Sequence, residues 1–410
     1  MKKIAMIGSA LSGNKGAAAM LESAMQTLGE KYPDAQFTLL AMYPQQDKEQ
    51  NTYKNLTILR GDSFYLGAVI NSWALLYRLL PGARNFIKKR SPEVKALAEA
   101  DVLLDQGGIT FVDGREVFLI YNVATILPAL NVKTPVAKCA QALGPFKNPI
   151  NRMAANIFLP KMARIVSRGA ITHAHLEGLG LKNVTEGADY AFCLEVTDAE
   201  EKAATKKFDM NFFKNGNVVG VSPSVVLRKK VDKHRGPGAY AKETAEFVDY
   251  LTKEKGYKVL LIPHSYRSAE TQLQHNNDAP LCRDIYAQVS GQEKCQLLDV
   301  ELGSQELRCI IGKCDLFIAS RFHAMVSSLA MQVPTLVIGW SHKYREVLEM
   351  FGLEKWAFGH DKLQHEYLKT RFAELEEEQK TVRAQLTKKL PKVKKKSYNQ
   401  VDVIQSVLER

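Results

Sequence analysis

The chain has 410 residues, of which 46% are hydrophobic and 24% are charged, and its formal net charge is +12. This length exceeds what one hydrophobic core usually organises, so we expect two domains of ordinary globular composition. The positive charge indicates acidic partners, but no recognised DNA- or RNA-binding motif accompanies it, and no apolar run is long enough to span a membrane. We therefore expect no nucleic-acid partner.

Short apolar strands separated by helical patterns run through the first half of the chain. The predicted strands span Lys3 to Gly8, Gln36 to Met42, Val102 to Leu104, Val136 to Cys139 and Arg164 to Ser167. Strands that alternate with helices are typical of a parallel α/β sheet. The first apolar run superficially resembles a leader peptide, but polar residues interrupt it after Ile7, so we predict a strand there.

A glycine-rich turn, Gly8-x4-Gly13-Asn14-Lys15-Gly16, follows the first predicted strand. A Walker A loop would need its lysine one position earlier, and the dinucleotide pattern Gly-x-Gly-x-x-Gly is absent. The glycines allow the backbone to approach a ligand closely. A tight turn without a ligand is the alternative interpretation.

The most apolar stretch, Phe64 to Leu80, is followed by Arg84, Lys88, Lys89 and Arg90. It is too short and too interrupted to span a membrane. Its pattern fits an ordinary buried helix, and the aromatic residues beside basic ones also fit a helix that lies on an anionic membrane surface. Both interpretations remain open at this point.

The polar stretch from Asp198 to Asn217 marks the predicted domain boundary. Beyond it, the predicted strands span Val218 to Ser222, Lys258 to Ile262, Cys295 to Leu298, Leu316 to Ala319 and Thr335 to Gly339. We expect an N-terminal Rossmann-like α/β domain over residues 1–205 and a C-terminal one over 216–360, facing each other across a cleft as in GT-B glycosyltransferases.

Residues 361–410 form a charged, helix-prone tail that is rich in lysine. The basic run from Lys388 to Lys396 surrounds Pro391 and fits either a solvated linker or a contact with anionic lipid. We expect the final helix, from Val401 to Leu408, to pack back on the N-terminal domain.

The six cysteines include no Cys-x-x-Cys pair and no nearby histidine at zinc spacing. This usage favours a reducing compartment, the cytoplasm, and predicts no metal site.

A candidate anion site begins where the strand Leu316 to Ala319 ends. Arg321 and His323 open the following helix, whose first turn offers unpaired backbone N–H groups and the positive end of the helix dipole. A bidentate cation and a proton donor beside such a helix start suit a phosphate ligand. A surface ion pair for Arg321 and a core position for His323 form the alternative.

The next strand, Thr335 to Gly339, is followed by Lys343, a further cation. Open α/β sheets bind ligands beyond the carboxyl ends of their strands, so these side chains are expected at one edge.

Several motifs, taken in their order, resemble those of the polysaccharide pyruvyl transferase family over residues 1–355. They are Gly13-Asn14-x-Gly16, Asp105-x-Gly107-Gly108, Ala140-Gln141-x-x-Gly144-Pro145, Val166-Ser167-Arg168, Leu176-x-x-Leu179-Gly180, Asp189-Tyr190-Ala191-Phe192, Ile262-Pro263-His264 and Ser320-Arg321-Phe322-His323-Ala324. The resemblance implies the same two-domain GT-B-like fold.

The resemblance also implies an activity, the transfer of the enolpyruvyl carbons of phosphoenolpyruvate onto two saccharide hydroxyls, with release of phosphate. Such a donor carries close to three negative charges, which arginine forks are suited to bind. Arg168, Arg321, Lys343 and Ser320 would bind the donor, His323 would act as general acid, and His264 could act as a base on the acceptor side. No cofactor besides the donor and no metal ion is implied.

The remaining motif residues, Gly13, Asn14, Gly16, Gly107, Gly108 and Gln141, are expected to form loops near the acceptor. The acceptor would be a saccharide of surface polysaccharide synthesis, plausibly lipid-linked, which would place the cytoplasmic enzyme at the inner face of the membrane. Ala17, Gly169 and Ile109 depart from the family pattern, in which the first two positions are often acidic and the third is often glycine. These departures put the roles of their loops in question.

Two other functions fit parts of the sequence. A nucleotide-sugar glycosyltransferase of the same fold could use Glu346 or Glu349 as a ribose-binding carboxylate, and a non-catalytic binding protein would explain the departures at Ala17 and Gly169. Phosphate release from phosphoenolpyruvate, compared with nucleoside diphosphate release from sugar nucleotides, separates the three.

Overall fold

The computed structural model describes residues 1–267, 276–339 and 342–409, which form parallel α/β sheets. The strands are β1 (Lys3–Ile7), β2 (Gly13–Asn14), β3 (Gln36–Ala41), β4 (Leu56–Arg60), β5 (Val102–Asp105), β6 (Ile109–Val112), β7 (Val136–Gly144), β8 (Arg164–Ser167), β9 (Val184–Glu186), β10 (Val218–Ser222), β11 (Lys258–Leu261), β12 (Ser265–Tyr266), β13 (Cys295–Leu297), β14 (Leu316–Ala319), β15 (Thr335–Gly339) and β16 (Ala357–Gly359).

The α-helices are α1 (Lys15–Lys31), α2 (Pro44–Gln50), α3 (Asn71–Leu79), α4 (Arg84–Arg90), α5 (Pro92–Glu99), α6 (Leu119–Val132), α7 (Pro149–Phe158), α8 (Ala170–Glu177), α9 (Asp198–Lys207), α10 (Val225–Arg235), α11 (Ala239–Asp249), α12 (Ala279–Gln288), α13 (Ser304–Gly312), α14 (Phe322–Ala330), α15 (His342–Phe351) and α16 (His365–Leu408). No helix among the described residues is both long and apolar enough to cross a bilayer.

The chain divides into two units. The first unit contains residues 1–12, 17–194 and 394–410, and the second contains 13–16 and 195–393. The division after Leu194 comes earlier than the predicted boundary at 205–216, because the polar stretch expected to be a turn region forms α9 of the second unit. Residues 361–410 are not a separate domain, since α16 contributes residues to each unit in turn.

The first unit is built on an eight-stranded sheet with the order β4-β3-β1-β5-β7-β8-β9, and β6 pairs with β7. All of its described pairings are parallel. The order runs outward in both directions from the boundary between β1 and β5, as in a Rossmann fold. One face of this sheet is covered by α3, α5, α6, α7 and α8, whose apolar side chains form a single core with strand residues such as Ala5 and Leu103.

The second unit is built on a six-stranded parallel sheet with the order β13-β11-β10-β14-β15-β16, again the Rossmann order. Its central strand β10 is buried along its whole length, as expected for a parallel strand covered on both faces. Its strand order reverses between β10 and β14, the position where doubly wound sheets bind ligands.

The lysine run near the end of the chain does not form a solvated linker, which was one of its two interpretations. The lysine run lies within the continuous helix α16, and Pro391 does not end it. Leu386, Leu390 and Val393 are buried at helical spacing, so an apolar stripe holds the helix through the proline, which costs about 3 kcal/mol in a helix interior. The last turns pack on the first unit, where Ser397 Oγ donates a hydrogen bond to the carbonyl of Asp189 (2.7 Å).

Candidate functional site

Polar side chains collect where the strands of the six-stranded sheet end. Ser320 and Arg321 follow β14, His264 follows β11, and α14 begins directly after Arg321. Ser320 donates its backbone N–H to Ser222 at the end of β10 (3.0 Å), which ties the two strands together at the point where the strand order reverses. The sequence predicted this convergence from the position of each residue after its strand.

Asp278 organises this edge of the sheet. Its carboxylate is fully buried and accepts hydrogen bonds from Arg321 Nε (2.7 Å) and Arg321 Nη2 (2.6 Å). It also accepts from the backbone N–H groups of Val225 (3.0 Å) and Ser265 (3.1 Å), so one side chain holds the start of α10, strand β12 and the guanidinium. Burial raises the pKa of Asp278, and the guanidinium and the two backbone donors oppose that rise.

This arrangement changes the predicted use of Arg321. The sequence suggested that its planar fork binds a phosphate or carboxylate of the ligand, but the edge formed by Nε and Nη2 binds Asp278 instead. Nη2 also donates to the carbonyl of Asn276 (3.2 Å). The side chain is 16% exposed, so the Nη1 edge is the part of the guanidinium that could reach a ligand.

His323 lies in the first turn of α14, against the glycine-rich turn. A Cβ atom on Gly16 would lie 2.1 Å from His323 Nδ1, a distance that no side chain can occupy. A side chain at position 16 would therefore have to displace the imidazole of His323. The imidazole and the Phe322 ring pack nearly perpendicular to each other, with ring centroids 5.0 Å apart.

The last four residues of the glycine-rich turn, 13–16, belong to the second unit, although they lie near the N-terminus. Strand β2 pairs antiparallel with β12, with Gly13 opposite Tyr266 and Asn14 opposite Ser265. Asn14 Oδ1 accepts a hydrogen bond from the backbone of Gly16 (3.1 Å). The sequence predicts these residues in the N-terminal domain, and the pairing with β12 places them in the second unit instead.

His264 is buried and lies among positive charges. Burial lowers its pKa well below the ordinary value of 6.5, and the charges of His323, Arg321 and Arg308 lower it further. The imidazole is therefore neutral near pH 7, with one ring nitrogen able to accept a proton. Its backbone carbonyl accepts a hydrogen bond from Lys15 N (3.3 Å).

Two further predicted ligands lie in this unit. Ser320 Oγ accepts a hydrogen bond from the hydroxyl of Tyr240 (3.1 Å), and the Ser320 carbonyl accepts one from Tyr344 (3.3 Å). Lys343 is 9% exposed and places Nζ 4.7 Å from the centroid of the Phe322 ring, a cation–π contact beside the first turn of α14.

The first unit holds the other predicted site residues. Arg168 follows β8 and is 1% exposed, and its Nε lies 3.1 Å from Asp189 Oδ2. Arg168 Nη2 donates to the carbonyl of Ala140 (3.4 Å), and a Cβ on Gly108 would lie 3.3 Å from the same nitrogen. This arginine thus has a buried carboxylate partner inside its own unit.

Gln141 and Gly107 surround another buried pair in that unit. Lys138 forms an ion pair with Asp105, and both side chains are almost fully buried. Gln141 Nε2 donates to the Asp105 carbonyl (2.6 Å), and the Gly107 N–H donates to Asp105 Oδ1 (3.0 Å). The predicted loop residues therefore stabilise the strand ends of the first sheet.

One group of metal-ligating side chains comes together within the described ranges, formed by Glu243, Glu246 and His365. Glu243 is already engaged by the Arg235 guanidinium and by the backbone N–H of His365 (2.5 Å). This group of acidic residues and histidine carries no functional assignment.

Comparison with known proteins identifies the family. Residues 14–342 match the sequence profile of the polysaccharide pyruvyl transferases. The chain belongs to this family. A relative, the amylovoran biosynthesis protein AmsJ of Erwinia amylovora, is 23% identical over 381 residues, which cover 87% of each chain.

Solved structures agree with the fold of this pyruvyl transferase family member. UDP-GlcNAc 2-epimerase from Neisseria meningitidis, bound to UDP-GlcNAc, aligns with a TM-score of 0.63 at 12% identity, over 99% of this chain and 100% of the epimerase. HepE from Anabaena, in complex with UDP and glucose, aligns with a TM-score of 0.54 at 12% identity, over 100% of this chain and 99% of HepE. The expected GT-B-like fold is thereby confirmed.

Sequence reasoning missed several residues of the cluster in the second unit. Lys15 does not fit a Walker A loop, yet it is 2% exposed and its Nζ lies 3.3 Å from Glu301 Oε1. Asp278 and Arg308 belong to no recognisable motif, because both act through contacts that the chain forms only on folding. The signal for Lys15 was its position between Asn14 and Gly16, in a motif that the family shares.

Proposed function

We propose that this pyruvyl transferase family member uses phosphoenolpyruvate as donor and forms a cyclic pyruvate ketal on two hydroxyls of a saccharide, with release of inorganic phosphate. The observation that carries the proposal is the cationic character of the strand ends in the second unit. His323, Arg321 and Arg308 lie near enough to His264 for their charges to lower its pKa, and Asp278 is the buried carboxylate that pairs with Arg321. A compact trianion offsets such a cluster better than a neutral ligand does.

The donor would bind beside the first turn of α14. The backbone N–H groups of that turn and the Nη1 edge of Arg321 would donate to phosphate oxygens, since a helix N-terminus favours an anion. The bond to Asp278 would hold the guanidinium in one orientation before the donor arrives, which reduces the ordering cost of binding. Lys343 and Ser320 complete the proposed donor contacts.

His323 is the proposed general acid. Its proton would go to the methylene carbon of the donor, leaving positive charge at C2, which a saccharide hydroxyl attacks. Departure of phosphate and attack by the second hydroxyl would complete the ketal. Of the two protons that the hydroxyls lose, one replaces the proton that His323 gave to the methyl group, and the other leaves with the phosphate. General acid catalysis of this kind contributes about 10²- to 10⁴-fold.

His264 is the proposed base on the acceptor side. Its lowered pKa keeps the imidazole neutral near pH 7, as a proton acceptor must be. The bound donor would oppose the surrounding positive charge and raise that pKa, so His264 would gain basicity only when the donor is present. This coupling would limit proton transfer to the complete complex.

Arg168 stays a predicted donor ligand, and Gly107, Gly108 and Gln141 stay predicted acceptor-loop residues. Arg168 forms an ion pair with Asp189 within the first unit, so substitution of Arg168 can change both folding and donor binding. Stability and turnover of such a variant must therefore be measured separately. For the acceptor, the relative named for amylovoran biosynthesis supports a saccharide of polysaccharide synthesis. The proposed compartment is the cytoplasm, and no further cofactor is part of the proposal.

Donor identity can be tested without knowing the acceptor. We expect phosphoenolpyruvate to raise the melting temperature, because a ligand at about 100 times its dissociation constant adds about 2.7 kcal/mol of stability. Sugar nucleotides serve as the matched panel, since a glycosyltransferase would be stabilised by them instead. Stabilisation by a sugar nucleotide, without any by phosphoenolpyruvate, would contradict the proposal.

Turnover is then measured with a saccharide extract as acceptor. Phosphate release from phosphoenolpyruvate and a new ketal methyl signal in the saccharide fraction are the expected results. Phosphate release without a ketal product would show hydrolysis of the donor and reject pyruvyl transfer to that extract.

A further inference from the structure

The first unit carries an apolar surface that none of its described contacts covers. Among the described residues, every exposed large hydrophobic side chain except Met1 and Tyr398 lies between Phe64 and Ile157. These side chains fall in three segments, residues 64–86, 117–120 and 150–157, and we call this set the apolar face. Leu79 is 62% exposed, Ile120 84% and Ile150 60%.

The three segments lie on the same side of the eight-stranded sheet. Asn71 Nδ2 in α3 donates to the carbonyl of Ala124 in α6 (3.2 Å), which joins the first segment to the helix that begins within the second. Asp113, just before the second segment, accepts a hydrogen bond from Asn151 in α7 (2.7 Å). The inner sides of α3, α6 and α7 share one core, so their outer sides present the apolar residues to solvent together.

Basic residues accompany the apolar face. Residues 64–90 include five cations, Arg78, Arg84, Lys88, Lys89 and Arg90, and no aspartate or glutamate. Residues 145–161 add Lys147, Arg152 and Lys161, again without an acidic residue. The acidic side chains close by are few: Glu116 and Asp113 lie near the second segment, Glu99 pairs with Lys88, and Asp62, just before the first segment, pairs with Arg60. The surface is therefore both apolar and positively charged.

We propose that the apolar face docks the protein on an anionic membrane. Exposed leucine, isoleucine and phenylalanine beside lysine and arginine are the composition of surfaces that insert shallowly at the boundary between headgroups and acyl chains. A second copy of the chain fits less well, because a symmetric dimer through this face would bring its cations together. The inference does not depend on the identity of the donor.

The proposal is tested by co-sedimentation of the full-length protein with vesicles. Vesicles of phosphatidylcholine with roughly one-third phosphatidylglycerol should bind the protein at low salt, because anionic headgroups attract its basic residues and salt screens that attraction. Vesicles of pure phosphatidylcholine should bind little protein. Leu79→Gln and Ile120→Gln should each weaken binding to the mixed vesicles by about tenfold, since each removes a side chain that inserts. Both positions are exposed, so folding should be unaffected.

Charge-matched variants locate the surface. Lys89→Gln with Arg90→Gln should weaken binding, whereas Lys388→Gln with Lys392→Gln, an equal loss of charge on the exposed side of α16, should not. Equal effects of the two pairs, or unchanged binding of the leucine and isoleucine variants, would overturn the assignment. A dimer in sedimentation velocity that Leu79→Gln dissociates would assign the face to a second copy instead.

Discussion

The eight-stranded sheet of the first unit and the six-stranded sheet of the second both follow the Rossmann strand order, and each has buried basic side chains in or directly after its strands. In the first unit, Lys138 and Arg168 each meet a buried carboxylate, from Asp105 and Asp189. In the second unit, the strongest electrostatic influences on His264 come from cations. Both sheets thus hold an arginine paired with a buried carboxylate, but in the second unit the further basic side chains His323 and Arg308 also lower the pKa of His264.

Arg168 and Arg321 both follow a parallel strand, and their surroundings differ. A basic residue after a parallel strand can serve the fold, as Arg168 does by binding Asp189 and the Ala140 carbonyl. Arg321 has a carboxylate partner too, but it lies beside His323, His264 and a helix start. Under the proposed function, these neighbours are the reason to expect the donor at Arg321, while Arg168 stays a predicted donor ligand whose ion pair also serves the fold.

Substitution of His323 should have the largest effect on activity. We expect His323→Gln to lower kcat by about 10²- to 10⁴-fold while donor affinity changes less than about tenfold, because the amide can accept or donate a hydrogen bond but cannot deliver a proton. Initial rates of phosphate release and calorimetric donor affinity measure the two effects. His234→Gln, at an exposed position on α10, is the control. An active Gln variant would reduce His323 to a positioning group.

Substitution of Arg168 tests the first unit. Arg168→Ala leaves the fully buried Asp189 carboxylate without its guanidinium, and breaking such a pair costs about 3 to 5 kcal/mol. Chemical denaturation measures the loss, with the exposed Arg152→Ala as control. Normal stability together with a loss of donor affinity would show that Arg168 acts on the ligand and not on the fold.

Two glycines of α1 allow a matched comparison, because a side chain on one of them would meet His323 and a side chain on the other would meet no neighbour. Gly16→Ala should lower kcat by about a hundredfold, because the new methyl group must displace the His323 ring, and a catalytic group shifted by about 1 Å loses roughly that much. Gly29 has open space around its Cβ position, so Gly29→Ala should keep activity and stabilise α1 by about 0.5 to 1 kcal/mol. Equal activities of the two variants would contradict the described contact.

Arg321→Lys should have the smallest effect. Lysine keeps the charge but cannot bind both oxygens of Asp278 while it reaches a ligand, so donor affinity should fall by roughly tenfold, the loss of about one charge-assisted hydrogen bond. Calorimetry measures this change, and Arg345→Lys on the exposed side of α15 is the control. Unchanged affinity would remove Arg321 from the donor site.

Much of the fold and part of the candidate site could be predicted from the sequence. Strand β8 and strands β10, β14 and β15 have the predicted bounds, because runs of buried apolar residues between turn signals identify parallel strands. The short strands β2 and β12 could not be predicted, since two residues carry no periodicity and their pairing joins positions 13–14 to 265–266. The interpretation of the lysine run as a solvated linker is wrong, because the buried apolar stripe that includes Leu386 and Leu390 is less evident in the sequence than the charges between its residues.

The contact partners of the site residues could not be predicted from the sequence, for a different reason. That Asp278 would bind the fork of Arg321, and that Gly16 would face His323, depends on contacts between distant parts of the chain. Local patterns indicate which residues end a strand or begin a helix. They contain no information about which side chain will lie opposite.

Histidine-selective NMR during a phosphoenolpyruvate titration tests the central claim most directly. His264→Asn and His323→Gln assign the signals of the second unit, and His173 and His175 of α8 report on the first unit in the same spectrum. We predict that the donor shifts the His264 and His323 resonances and leaves that of the exposed His234 on α10 in place. Shifts confined to His173 and His175, with His264 and His323 unchanged at saturating donor, would contradict a donor site at the strand ends of the second unit.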